Sequence, residues 1–284
     1  MKIIKIFSSF ATSECCIEVY TRIHELFKDE EYNKTYKFTT NNNFTHAIIL
    51  NVAMPKLTIP KENVIGLAFE PPYYLGLTKD FLNYAEKHIS KYYIGENYDI
   101  KLPKCFILHH GYIWHITPLI YIPIKNKIMS IMVSFKKLAP GHQYRHELVK
   151  YILENNLPID IYGNGCIFYN NHSTKYNNQR LKGEFKEKEP YENYYFHIAI
   201  ENFQTQHYFS EKITNTLLCN TTPIYLGCIN IDNYFENVIK LTGNLKHDLN
   251  LIYNICKNPD NYKKNHNIEK IKSVLSIKNV INEF

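Results

Sequence analysis

The chain predicts an α/β protein made of two doubly wound units, and three observations predict it. Short apolar runs alternate with helical patterns almost throughout, an order that implies parallel sheets with right-handed crossovers. The run Ile128–Ser134 is almost continuously apolar, as suits a central parallel strand covered on both faces. The segment Pro118–Lys127 carries two prolines and a basic turn between two such series, and reads as a linker. A length of 284 residues accommodates two domains. The boundaries expected are 1–125, 126–261 and a helical tail 262–284.

In the first series the candidate strands are Lys2–Phe7, Ala47–Val52, Val64–Phe69, Lys91–Ile94 and Phe106–Leu108. Between them the pattern places a helix around Cys16–Lys28 and another around Lys79–Lys87, where Phe81, Leu82 and Ala85 share a face. The second series opens with Ile128–Ser134 and continues with a helix from about His142 to Glu154 and a strand Ile159–Tyr162. Next come a strand Phe196–Ile200, a helix over 209–220, strands Pro223–Leu226 and Val238–Leu241, and a helix Leu245–Cys256. Asn170–Lys188 is polar and weakly patterned, so a long, mobile loop is expected there. Tyr262–Phe284 reads as one or two short helices packing back across the first domain.

Composition narrows the function classes. With 45% hydrophobic and 14% aromatic residues the chain builds large cores and is not disordered. A net charge of +6 suits an anionic ligand, but the lysines are scattered rather than massed in a stripe, which argues against nucleic acid. The seven cysteines form no C-x-x-C pair, so neither a disulfide framework nor a zinc site is expected. No run of 18 apolar residues is present, so no membrane span is expected. The N-terminus reads as a first strand rather than a signal peptide, which implies a cytoplasmic location. There is no G-x-G-x-x-G and no Walker A, against dinucleotide oxidoreductases and P-loop NTPases.

The stretch Phe196–Gly227 carries the chemistry. Phe196, Ile198 and Ile200 alternate at strand period, and Glu201-Asn202 follow where that strand ends. Tyr208, Glu211 and Lys212 come seven to eleven residues later, at the start of the next helix. Polar groups at strand ends and helix N-termini are where open α/β sheets hold phosphorylated ligands. Lys212 suits a phosphate contact there, helped by the macrodipole, although a surface lysine paired with Glu211 gives the same spacing. Arg145 stands at the start of the helix that follows Ile128–Ser134, where a plain helix-surface arginine is the bland reading.

The order Phe196, Glu201-Asn202, Tyr208-Phe209-Ser210-Glu211-Lys212 and Pro223-x-x-x-Gly227 resembles the donor-site pattern of the α1,3-fucosyltransferases, glycosyltransferase family 10. Ser210 stands where that pattern has Thr, and the hydroxyl survives. Ser134 and Arg145 loosely resemble the family's strand, loop and helix start, and Tyr162-Gly163-Asn164-Gly165 is similar to its Val-Tyr-Gly-x-Gly strand end. A tight turn is the simpler explanation of a lone Gly-x-Gly. Phe69-Glu70-Pro71-Pro72 is similar to a Phe-Glu-Ser-Pro run whose Glu is proposed as general base. Without the family, a Glu before Pro-Pro reads as a loop residue.

The resemblance implies a GT-B fold, two Rossmann-like domains facing a cleft, with an acceptor-binding N-terminal and a nucleotide-sugar-binding C-terminal domain. It implies an inverting transfer of fucose from GDP-fucose to a glycan hydroxyl, as in protein glycosylation. Glu70 would be the catalytic base, made more basic by partial burial beside Phe69 and Tyr73. Arg145, Lys212, Ser134, Gly163, Glu201, Asn202, Tyr208 and Glu211 would bind the donor, with Glu211 on the ribose. His110 and Tyr112 would lie near the acceptor, although a structural role suits either His109 or His110 as well. No Asp-x-Asp pair is present, so no metal or other cofactor is expected. Alternatives remain open at this level: another nucleotide sugar, a glycosidase using Glu70 and Glu201, or a non-catalytic nucleotide-sugar or glycan-binding module.

Overall fold

The computed structural model describes residues 1–96, 100–111, 123–170 and 178–284. Contacts divide the chain into two compact units: Met1–Ile116 with Thr205–Tyr208 and Lys272–Phe284, and Thr117–Gln204 with Phe209–Ile271.

The first unit holds strands β1 (Lys2–Ser8), β2 (Tyr36–Phe38), β3 (His46–Leu50), β4 (Val64–Leu67), β5 (Lys91–Ile94) and β6 (Phe106–Leu108). They form one sheet in the order β2-β1-β3-β4-β5-β6, parallel throughout, with Ile4 opposite His46 and Ile6 opposite Ile48. Helix α1 (Ser13–Phe27) starts three residues earlier than its apolar pattern suggests, because the Thr12 side chain caps it by accepting from the Cys15 N–H. Helices α2 (Pro72–Leu75) and α3 (Lys79–His88) follow β4. Ile49, Val64, Phe81, Tyr92 and Ile94 are fully buried in the core beneath α3.

The second unit contains β7 (Lys127–Met132), α4 (Pro140–Glu154), β8 (Ile159–Tyr162), α5 (Ile167–Asn170), β9 (Leu181–Gly183), β10 (Tyr194–Ile200), α6 (Glu211–Leu218), β11 (Thr222–Leu226), β12 (Ile239–Lys240) and α7 (Leu245–Lys257). Its sheet order is β12-β11-β10-β7-β8-β9, again parallel. The alternation in β10 puts Phe196, Ile198 and Ile200 into one core with Met129 and Ile131 of β7, Leu148 and Ile152 of α4 and Ile252 of α7. His197 and Ala199 then face the other side of the sheet.

In the polar segment expected to be a loop, residues 178–183 make a helical turn and the edge strand β9; residues 171–177 lie outside the described residues. Part of the expected linker, 118–122, also lies outside them. The tail forms α8 (Ile268–Leu275) and α9 (Lys278–Ile281). Its last residues return to the first unit, where Lys2 Nζ donates to the Ile281 carbonyl (2.7 Å), Lys91 pairs with Glu283 and Phe284 packs edge-on against His46.

Candidate donor site in the second unit

The strand order of the second sheet reverses between β7 and β10, so the crossovers leave on opposite faces and a crevice opens at the carboxyl ends of these strands. A cavity of about 340 Å³ lies there. It gathers Ser134, Arg145, Gly163, Asn202, Glu211 and Lys212, six of the residues expected to bind a donor.

Arg145, 6% exposed, sits in the first turns of α4. Its Nε donates to the Gly141 carbonyl (3.1 Å) and its Nη2 to Asn202 Oδ1 (2.8 Å). The Gly141 N–H donates in turn to the Asn202 carbonyl (3.0 Å), so the strand end after β10 is bolted to the start of α4. The approach is close: a Cβ on Gly141 would stand 1.8 Å from the Glu201 carbonyl oxygen.

Lys212 occupies the first turn of α6, which begins two residues later than the apolar pattern suggests because Ser210 is the N-cap. Glu201, whose side chain is wholly buried, accepts from the Ser210 N–H (2.8 Å) and the Ser210 hydroxyl, and lies 3.3 Å from Lys212 Nζ. Glu211 is 3.3 Å from the same ammonium. Burial works against the charge on Lys212, but Glu201 and Glu211 outweigh it and raise its pKa. The ammonium is therefore held charged and in place. Glu201 does not line the cavity; its carboxylate is occupied by Ser210 and Lys212.

The glycine turn has a steric reason. Gly163 has φ +103° and a Cβ there would lie 2.3 Å from the Val133 carbonyl oxygen, so only glycine lets the ends of β7 and β8 approach. Asn164 follows it and accepts from the Phe135 N–H (2.9 Å), fixing the loop beyond Ser134.

Sequence reasoning passed over His142, Lys136 and Phe185, which also border the cavity. The Ala139 N–H donates to His142 Nδ1 (3.1 Å), which leaves the proton of the neutral ring on Nε2. Burial, with Arg145, Lys136 and Lys212 nearby, lowers the His142 pKa to about 4. Lys136 was visible as a cation in the loop after the strongest strand. Phe185 was not, because it comes from the weakly patterned segment.

The remaining expected residues belong to the first unit. Glu70 lies at a bend between β4 and α2, and is exposed rather than partly buried; Tyr73 beside it is 48% exposed. Tyr208 is 6% exposed, its Cβ packed close to Gly95. His110 is 2% exposed, and burial, reinforced by His109 and His207, holds its pKa well below the ordinary value. It is a buried neutral ring. Tyr112 lies outside the described residues. Among the described residues no cluster of three metal-ligating side chains occurs, and no helix is long and apolar enough to cross a membrane.

Two crystal structures of α1,3-fucosyltransferase, one with GDP, superpose over the whole chain and about nine-tenths of their own length, with TM-scores of 0.54 and 0.56 at 13% and 14% identity. That likeness shows the fold, the GT-B type. A putative fucosyltransferase-like protein of Arabidopsis thaliana is 24% identical over 113 residues, which cover 39% of this chain and 20% of that protein. The chain thus matches only about a fifth of the curated relative's length. The family model of glycosyltransferase family 10 (fucosyltransferase), C-terminal part, matches residues 122–274, more than half of the chain and nearly all of the second unit. The protein belongs to glycosyltransferase family 10.

Proposed function

We propose that this protein is an inverting glycosyltransferase that moves fucose from GDP-fucose to a hydroxyl of a glycan, without an obligatory metal. The observation that carries the reading is the placing of Arg145 and Lys212 in the first turns of two helices bordering one cavity. Two fixed cations and two helix N-termini neutralise a departing diphosphate, the term that dominates such a transfer. Glu211, at the same wall, accepts from ribose hydroxyls. Family membership and the GDP carried by one structural neighbour support a guanine nucleotide and fucose.

In the proposed step the acceptor oxygen attacks the anomeric carbon from the face opposite the diphosphate. The carbon–oxygen bond to the β-phosphate breaks, and its electron pair stays on GDP, against Arg145 and Lys212. The acceptor proton passes to Glu70. The other residues expected at the donor that line this cavity, Ser134, Gly163 and Asn202, shape the nucleotide pocket, and Glu201 holds Lys212.

A thermal-shift panel of nucleoside diphosphates tests the donor. GDP is expected to stabilise the protein more than UDP, ADP or CDP at equal concentration. A larger shift with UDP removes the fucosyl reading. Incubation with nucleotide sugars and lactosamine-type acceptors, read by mass spectrometry, then tests transfer; GDP binding with neither transfer nor hydrolysis would leave a binding module.

A further inference from the structure

We infer that His142 is a further donor-binding residue, an uncharged ring whose Nε2–H donates to a diphosphate oxygen in the cavity of the second unit. The inference rests on the proposed transfer reading and adds to it a contact that carries no charge of its own. His142 is 4% exposed and borders the cavity that Arg145 and Lys212 also border. It stands three positions before Arg145 on α4, a spacing that puts both side chains on one face of the helix.

The start of α4 fixes the ring. Ala139, the N-cap, has no side-chain acceptor, and Pro140 after it has no N–H. His142 closes the turn instead. Its own N–H donates to the Ala139 carbonyl (3.0 Å), and its Nδ1 accepts from the Ala139 N–H (3.1 Å). With Nδ1 accepting, the proton of the neutral ring sits on Nε2, which has no hydrogen-bond partner among the described residues. His146, one turn further along α4, differs. Its Nδ1 meets the Tyr169 hydroxyl (2.8 Å) and its Nε2 the Ser134 carbonyl (3.0 Å), so that ring is fully engaged. A nearly buried donor left open at a cavity wall calls for an acceptor from a ligand.

The charges around the ring say which acceptor. Burial first, then Arg145, Lys136, Lys212 and His146, oppose a second proton on it and lower its pKa to about 4. The positive field that keeps a proton off His142 is the field that favours an anion beside it. A phosphate oxygen meets that field and the Nε2–H together, whereas a sugar hydroxyl gains from the hydrogen bond alone. An imidazolium here would carry its own desolvation cost, and the neutral ring supplies a donor without it. As the sugar leaves, negative charge grows on the diphosphate, and a donor already in place strengthens with it.

The test uses the full chain, with GDP, UDP and inorganic pyrophosphate as probes in titration calorimetry. Two variants divide the ring between its nitrogens. His142→Asn keeps an oxygen where Nδ1 accepts from Ala139 and removes the Nε2–H. His142→Gln brings an amide N–H near the place of Nε2 and gives up the contact with Ala139. His142→Asn is expected to weaken GDP and pyrophosphate by the same factor, about tenfold, the loss of one hydrogen bond to a charged group. His142→Gln is expected to stay within a few-fold of the wild type while melting at a lower temperature. Wild-type pyrophosphate affinity in His142→Asn overturns the inference. So does weaker binding by His142→Gln than by His142→Asn, because affinity would then follow the helix start and not the ligand contact. The wild-type to His142→Asn ratio should hold constant between about pH 6 and 8, and a ratio that rises as the pH falls shows a charged ring and overturns the neutral donor. Pyrophosphate binding with UDP preferred to GDP strikes the fucosyl reading and leaves His142 standing; binding of none of the probes to the wild type strikes both.

Discussion

Lys212 Nζ lies 3.3 Å from a Glu201 carboxylate that is wholly buried, so the cation at the candidate phosphate end is anchored from behind by a group that solvent cannot reach. Breaking a buried pair from one side typically costs ~3–5 kcal/mol, because the remaining charge loses its partner. Glu201→Gln keeps the shape and the Ser210 contacts but removes the charge. It is expected to lower the melting temperature and weaken GDP binding more than tenfold, measured by calorimetry. Wild-type GDP affinity would mean that Lys212 needs no anchor.

Lys212→Ala should remove a charge-assisted contact worth ~1.5–3 kcal/mol, a loss of about 10- to 150-fold in nucleotide affinity. The contact is electrostatic, so the wild-type affinity should fall with added salt more steeply than the variant's. Titration at two salt concentrations checks both.

Glu70→Gln tests the base. Loss of a general base costs ~10²–10⁴ in rate, so transfer should nearly vanish while GDP binding persists. Turnover near that of the wild type in a mass-spectrometric assay would reassign the proton to another group.

Gly141→Ala places a methyl group 1.8 Å from the Glu201 carbonyl oxygen, a backbone atom at the junction of β10 and α4. The helix start must shift and take Arg145 with it. Destabilisation of at least ~2 kcal/mol by denaturant titration is expected, with weakened GDP binding.

Acid should destabilise the fold through its histidines. Burial lowers the pKa of His197 to about 3 and those of His142 and His266 to about 4, against an ordinary value of 6.5. Below 6.5 the unfolded chain takes up protons that the folded chain refuses. Stability is therefore complete above that pH and is lost as the pH falls toward 4 and 3. Melting temperatures between pH 7.5 and 4.5 should fall steadily, and His197→Phe should flatten the decline.

Much of this architecture was legible because burial imposes a period. Lys91–Ile94, Phe106–Leu108 and Ile159–Tyr162 end where their apolar runs end. The strands β2 and β9, three residues each at sheet edges, are too short to show a period, and the helix starts moved because caps at Thr12 and Ser210, rather than apolar residues, set them. In the candidate site, residue types and offsets singled out Arg145, Asn202, Glu211 and Lys212, which the fold brings to one cavity. Which way Glu201 turns was not legible, since that depends on how α6 packs against β10. Phe185 reaches the cavity by tertiary folding of a segment without pattern.

The return of Ile281 and Glu283 to Lys2 and Lys91 has a consequence for biogenesis. On the ribosome the first sheet can assemble once Leu108 has emerged, yet two of its lysines wait for partners translated some 190 and 280 positions later. The second unit is synthesised in the interval, free to complete its own core, before the segment that closes the amino-terminal unit has emerged.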